Sequence, residues 1–344
     1  MASLDADAKP TPAFGLAAIF VFNADDRVTV TSMNPNLPRR RFIQAVGTAL
    51  AGTVLTPSAL HSIEPIQRAG QPRLLLSLAA YSFRDFFKDA NRAANAPAGP
   101  AREFDLFKFI DYCADHGCAG AEPTSYYFPK DVTEDYLLRL RRQAFLRGVA
   151  ISGTAVGNTF TLPPGPKRDA EIASVKQWID RAAVLGAPHI RIFAGNAPKD
   201  VTKAEATRLC TEAIEECADY AGKKGVFLGL ENHGGIVAEP DDLLAIIRAV
   251  KSPWVGINLD SGNFHTDDPY RDLARCVPYA VNVQFKAEIA PRGQKAGPAD
   301  FARLVKMLRD GNYQGFVALE YESKEDPWKA VPVLLKRMQD TFTA

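Results

Sequence analysis

The chain has 344 residues, 47% hydrophobic and 24% charged, with 41 lysines and arginines against 40 aspartates and glutamates. That composition excludes a disordered or fibrous protein, and a formal charge of +1 with both signs interleaved argues against a nucleic-acid partner. Five scattered cysteines, Cys113, Cys118, Cys210, Cys217 and Cys276, include no CxxC, so neither a disulfide scaffold nor a zinc module is expected and all five read as buried apolar residues.

The first predicted element is a targeting segment. Residues 38–55 place three arginines before an uncharged apolar run from Phe42 to Leu55, too short for a membrane span. The register Arg39-Arg40-x-Phe42-Ile43 resembles a twin-arginine signal, which predicts cleavage within 59–70 and a periplasmic or secreted product without a stable membrane span. Because some 38 residues precede the arginines, Met33 is the expected true start. Residues 1–70 are therefore read as an extension and signal outside the fold, and 71–344 as one domain. Outside the membrane, an unphosphorylated sugar is a more plausible substrate than a sugar phosphate.

From Arg73 onward, short apolar runs alternate with amphipathic stretches. The runs end near Ser82, Glu122, Val156, Ala194, Glu231, Asp260, Lys286 and Glu320. A mean spacing of about 34 residues is the period of a β-strand plus a crossover helix. Helices are predicted over 105–116, 133–147, 168–185, 203–224, 240–250, 267–277, 298–310 and 326–341, and four of them run into Gly117, Gly148, Gly186 or Gly225. Eight such units predict an α/β fold, a (β/α)8 TIM barrel. A doubly wound open sheet is the alternative, but it wants a glycine-rich turn after the first strand, and Ala80-Tyr81-Ser82-Phe83-Arg84 has no glycine. Residues 90–103, rich in Ala, Pro and Asn, read as a loop inserted after the first strand.

Barrel active sites sit where strands end, and there this sequence repeatedly places polar groups after apolar ones. Strand five ends Gly229-Leu230-Glu231-Asn232-His233, strand six Asn258-Leu259-Asp260, and strand eight Ala318-Leu319-Glu320. Three carboxylates at one mouth would repel unless a cation sat between them, which points to a divalent metal. Strand seven alternates Asn282, Gln284 and Lys286 toward one face, making Gln284 the candidate fourth ligand. An all-oxygen set of Glu231, Asp260, Gln284 and Glu320 suits one hard ion, Mn²⁺ first, with Mg²⁺ or Co²⁺ as alternatives.

The segments Leu230-Glu231-Asn232-His233-Gly234-Gly235, Asn258-Leu259-Asp260-Ser261-Gly262-Asn263, Val283-Gln284-Phe285-Lys286 and Ala318-Leu319-Glu320 resemble the xylose isomerase-like TIM-barrel family of sugar isomerases and epimerases. The resemblance implies that Glu231, Asp260 and Glu320 are metal ligands and that Glu231 and Glu320 also carry the substrate proton. Gln284 stands where the family usually has His, and Asn263 where its epimerases tend to have another. The implied reaction removes a proton next to a carbonyl and returns it through an enediolate. Lys286 would steady the oxyanion, and His233 would orient a hydroxyl or carry a proton. Tyr81, Glu122, Arg191, Asn263, His265 and Arg292 are candidate substrate contacts. A lyase acting on a 3-keto-glycoside would use the same site, and a non-catalytic sugar-binding barrel is the alternative of another class. A multi-metal phosphodiesterase is excluded because only five histidines occur and His116 and His189 are not at strand C-terminal ends. Assembly into a homo-oligomer is left open, since a helix face that packs in a dimer looks like any amphipathic helix.

Overall fold

The computed structural model describes residues 63–89 and 103–344. The arginine-led signal, the start at Met33 and the inserted loop lie outside the described residues, apart from the last residue of the loop and the end of the cleavage window. Eight strand positions follow one another in chain order: β1 (Arg73–Ala79), β2 (Gly120–Glu122), β3 in two pieces (Ala150–Ile151 and Thr154–Ala155), β4 (His189–Ile192), β5 (Phe227–Glu231), β6 (Val255–Asp260), β7 (Ala280–Phe285) and β8 (Gln314–Leu319). All pair in parallel, and β1 pairs with both β2 and β8. The first piece of β3 pairs with β2 and the second with β4, while a bridge from Thr124 to Ala155 joins the two sides. The ring thus closes through the two halves of a single strand, as a TIM barrel requires.

The eight α-helices of the described residues are α1 (Leu106–Asp115), α2 (Glu134–Leu146), α3 (Pro166–Leu185), α4 (Lys203–Lys224), α5 (Pro240–Ala249), α6 (Pro269–Cys276), α7 (Phe301–Asp310) and α8 (Pro327–Thr343). Their starts follow from capping chemistry. Asp105, Thr133, Thr202, Asp268, Asp300 and Asp326 each accept a backbone N–H of the first turn through their side chain. At the other end, Gly186 and Gly225 adopt left-handed φ values of 81° and 71°, which stop α3 and α4 at little cost. None of these helices is long and apolar enough to cross a membrane.

Two features depart from expectation. The third strand is broken at Ser152-Gly153, and the cause lies in β4. His189 brings its ring so close that a Cβ on Gly153 would sit 1.8 Å from its Cε1, and its Nδ1 lies 3.1 Å from the Ser152 carbonyl oxygen. Gly153→Ala is therefore expected to destabilise the fold by roughly 1–3 kcal/mol through overpacking. Urea unfolding of the single variant and of Gly153→Ala/His189→Ala would check it, since removing the ring should restore part of the loss. The second departure is the domain boundary. Ile66 donates its backbone N–H to Pro278, Asn312 donates to the Arg68 carbonyl and Gln314 to that of Ala69, so the fold begins several residues before the expected boundary at 71. These bonds are to loops and strand starts, not part of a strand period, and a reading based on periodicity passes over them.

Helices and strands meet in one continuous apolar layer, in which all five cysteines are buried and free. Inside the barrel the filling is different. Ser77, Ser152, Thr154, His189, Asn258, Asn282 and Gln284 are buried polar residues, and they form a hydrogen-bonded floor beneath the mouth.

Candidate active site

The mouth is built by the last inward-facing residues of β4 to β8. Glu231, at the end of β5, is held on both sides. Its Oε2 pairs with Arg191 Nε at 2.9 Å, both side chains being 5% exposed or less, and its Oε1 accepts from His233 Nδ1 at 3.0 Å and Asn263 Nδ2 at 2.8 Å. Burial pushes the Glu231 carboxyl up, but Arg191, His233 and Lys286 outweigh it and hold the group below the usual carboxylate range. Arg191 is clamped in turn, its guanidinium 3.9 Å from the Phe193 ring centre and in contact with Tyr126.

Lys286 organises the other half. Its ammonium donates to Glu320 Oε2 at 2.6 Å, touches Glu322, and stands 3.3 Å from Asp260 Oδ2. Burial alone would lower its proton affinity, yet Asp260, Glu320, Glu322 and Glu231 raise it well above the ordinary lysine value. Its stem runs over Gly262, where a Cβ would lie 2.6 Å from Lys286 Cγ, so only glycine leaves the chain this path. Asp260 is wholly buried. Its Oδ1 accepts from the Gly262 N–H at 2.8 Å, its Oδ2 has no hydrogen-bond partner, and burial with Glu231 and Glu320 nearby raises its carboxyl well above the ordinary value against the pull of Lys286.

Gln284 lies one level down. Its Nε2 donates to Glu122 Oε1 at 2.6 Å and its Oε1 accepts from Asn258 Nδ2 at 2.7 Å, so both ends of the amide are spent in the floor. Glu122 accepts a second bond from Asn282, 2.8 Å away. Burial, with Glu320 adding to it, brings the Glu122 carboxyl up to about 7 from 4.5, against the pull of Asn282, Gln284 and Arg191. The folded state therefore keeps a proton that the unfolded chain releases near 4.5. Stability is full below about 4.5 and falls as pH rises to about 7, by at most roughly 3 kcal/mol for this group. Urea unfolding between pH 4.5 and 8 is expected to show a shallower fall in Glu122→Gln; equal slopes would refute the assignment.

Of the sequence-derived donors, Glu231, Asp260 and Glu320 thus share the mouth, whereas Gln284 directs its oxygen to Asn258. Among the described residues, no three His, Cys, Asp or Glu side chains stand in ligand geometry, the Lys286 ammonium lying on Asp260 and Glu320 instead. The donor chemistry nevertheless suits a hard cation: Glu231, Asp260 and Glu320 are buried oxygen donors, and one buried oxygen, Asp260 Oδ2, has no hydrogen bond. The other candidates divide. His265 and Asn263 line a cavity of about 270 Å³ with Lys286 and Glu322. Tyr81 stands at the mouth of β1, 6.5 Å between ring centres from both Tyr126 and Tyr127. Arg292 points away, paired with Glu239 and Asp267 on the surface. Sequence reasoning passed over Glu322, Asn258 and Tyr126. The first two continue the same two-residue alternation as Glu320 and Asp260, a signal that was available; Tyr126 follows a strand too short to show a period.

Known proteins share this architecture. The chain is 25% identical over 229 residues to a putative hydroxypyruvate isomerase of Mus musculus, covering 61% of this chain and 82% of that protein. Among solved structures, D-psicose 3-epimerase superposes with a TM-score of 0.59 at 17% identity, covering 76% of this chain and 89% of that one. The 3-keto-D-glucoside 4-epimerase of E. coli superposes with a TM-score of 0.58 at 15% identity, covering 78% and 100%. The profile of one family spans residues 110–338, from α1 through α8 and across every acid of the mouth, and on that match the chain belongs to the xylose isomerase-like TIM-barrel family.

Proposed function

We propose that this protein is a sugar isomerase or epimerase that moves a proton next to a carbonyl, with Glu231 and Glu320 as the two proton carriers. The observation that carries the proposal is the pairing of each glutamate with its own buried cation, Arg191 or Lys286, at one strand-end mouth. A carboxylate kept ionised by Arg191 is ready to accept a proton as soon as substrate arrives. When it removes the α-proton, the C–H electrons move into a carbon–carbon double bond and charge builds on the former carbonyl oxygen, where the Lys286 ammonium is placed to receive it. Return of the proton to the carbonyl carbon isomerises the sugar, and return to the opposite face of the same carbon epimerises it. His233 and Asn263 hold Glu231 by one oxygen and so fix the direction from which it reaches substrate.

Glu231, Asp260 and Glu320 would hold one divalent ion, Mn²⁺ or failing that Mg²⁺ or Co²⁺, which when bound supplies Lewis-acid polarisation of the carbonyl. The proposed substrate is an unphosphorylated sugar or keto-sugar met outside the cytoplasm, after twin-arginine export. Sequencing the N-terminus of the exported protein would check that location, and a mature chain beginning before Arg39 would refute it. A second reading, β-elimination from a 3-keto-glycoside by the same enolate, is favoured by Gln284, which stands where the family usually has His and is bound to Asn258 and Glu122.

The test is ¹H NMR of the purified protein with Mn²⁺ and a panel of keto-sugars, aldoses and hydroxypyruvate in D₂O. Loss of an α-proton signal, abolished in both Glu231→Gln and Glu320→Gln, is expected. Release of an aglycone would move the assignment to the lyase. Sugar binding without exchange would leave only the non-catalytic barrel.

A further inference from the structure

Helix α2 carries apolar side chains on two faces. Leu137, Leu140 and Ala144 are buried against the barrel, as a helix of the outer ring requires. Of the five large hydrophobic side chains that are exposed among the described residues, three are also on α2: Leu138 at 47%, Phe145 at 81% and Leu146 at 60%. Leu138 and Phe145 stand two turns apart along one outward stripe. Three such groups on one short helix are not the scattered exposure of an ordinary surface, and they mark a contact that the single chain leaves open.

The charges on that stripe say what covers it. Asp135 is paired with Arg139 and Arg141 donates to the Val184 carbonyl, whereas the side chains of Glu134 and Arg142 have no ion-pair partner among the described residues. Glu134 stands one turn before Leu138 and Arg142 one turn after it, so opposite charges lie about 6 Å on either side of one apolar residue. A stripe in that order is complementary to itself once turned end for end. We propose that α2 is the contact between two copies of this chain, packed antiparallel about a twofold axis through Leu138. The axis brings Leu138 onto Leu138 of the second copy and Glu134 of each onto Arg142 of the other, two ion pairs from one rotation. Parallel packing would instead set like charge on like. Phe145 reaches past the first turn of the opposite helix toward its Val132, a half-buried apolar residue just before the cap Thr133. Because barrel helices run against the strands, the two mouths open at opposite ends of the pair and the contact covers neither. The interface is small: α2 has 13 residues, about 20 Å of helix, and a contact of that length falls below the ~1,200 Å² at which stable complexes begin. The dimer is accordingly expected to dissociate on dilution, with a Kd on the order of 10 µM.

Sedimentation velocity of the full chain from about 1 to about 200 µM is the test. A monomer–dimer equilibrium is expected. Glu134→Arg and Arg142→Glu each set two pairs of like charges across the axis and should weaken association at least tenfold, while Glu134→Arg/Arg142→Glu together restore it. An equimolar mixture of the two single variants should also dimerise, because each then meets its opposite charge in the other. Leu138→Lys, whose ammonium has Glu134 one turn before it and so suits the helix, should abolish the dimer by facing its own copy at the axis. A wild-type chain that stays monomeric throughout, or a dimer that survives Leu138→Lys, overturns the proposal. So does association indifferent to both single charge changes, which would lie on another face, and so does failure of the mixture to dimerise, which would remove the antiparallel register.

Discussion

Glu231→Gln is expected to abolish measurable proton exchange and to lower the melting temperature on the order of 10 °C. The two effects have one origin. Both carboxylate oxygens of Glu231 are engaged, Oε2 in the ion pair with Arg191 and Oε1 accepting from His233 and Asn263. A glutamine carries no charge for Arg191, and if its amide nitrogen replaces Oε1 its N–H meets the Asn263 N–H. Arg191, 5% exposed, then keeps a buried charge without its counter-ion. Breaking such a pair costs about 3–5 kcal/mol, and in a domain of this size each kcal/mol moves the melting temperature by roughly 2–4 °C. Loss of a proton carrier removes a further ~10²–10⁴ in rate. Glu231→Asp keeps the charge and should recover stability more than rate. Calorimetry beside the D₂O assay checks both arms, and a Glu231→Gln protein with normal melting and normal exchange would end the proposed mechanism.

Lys286→Met has the second-largest expected effect, and its direction depends on cations. Methionine keeps the apolar stem over Gly262 but leaves Asp260, Glu320 and Glu322 facing one another without the ammonium they share. In EDTA the variant is expected to lose about 3–5 kcal/mol, with the deficit shrinking as pH falls, because protonated carboxyls no longer repel. Added Mn²⁺ should return most of that loss. The wild-type protein, whose own ammonium already neutralises the site and competes for Asp260 and Glu320, should gain less. Melting curves with EDTA and with Mn²⁺ at two pH values measure all of this. An identical Mn²⁺ shift in both proteins would show that Lys286 and the metal do not share a position.

Much of the barrel was legible in the chain. Strand ends at Glu122, Glu231 and Asp260 coincide with the observed ends of β2, β5 and β6, where each apolar run gives way to an acid, although all three acids are buried in the barrel and not turned toward water. Helix ends were read from the glycines that follow them, such as Gly186 and Gly225, whose chemistry is local. The break in β3 was not legible: it depends on His189, which meets Gly153 only after the chain has passed through α3. Gln284 shows the same limit. Alternation correctly turned it inward, but its height was set by the stagger of the strands, which brings it to Glu122 from 162 residues away. Arg292 was placed by its loop near the mouth and by its ion pairs away from it.

The sequence by itself therefore determined the number and order of the βα units, the face each strand buries, and the acids that close β5, β6 and β8. These follow from hydrophobic period and helix capping, which act over a few residues. Only the tertiary structure decided which cation sits on which acid, and that Lys286 rather than Gln284 stands between Asp260 and Glu320. Those outcomes depend on Coulomb interactions and packing across strands far apart in the chain, where the stagger of a closed barrel sets the distances.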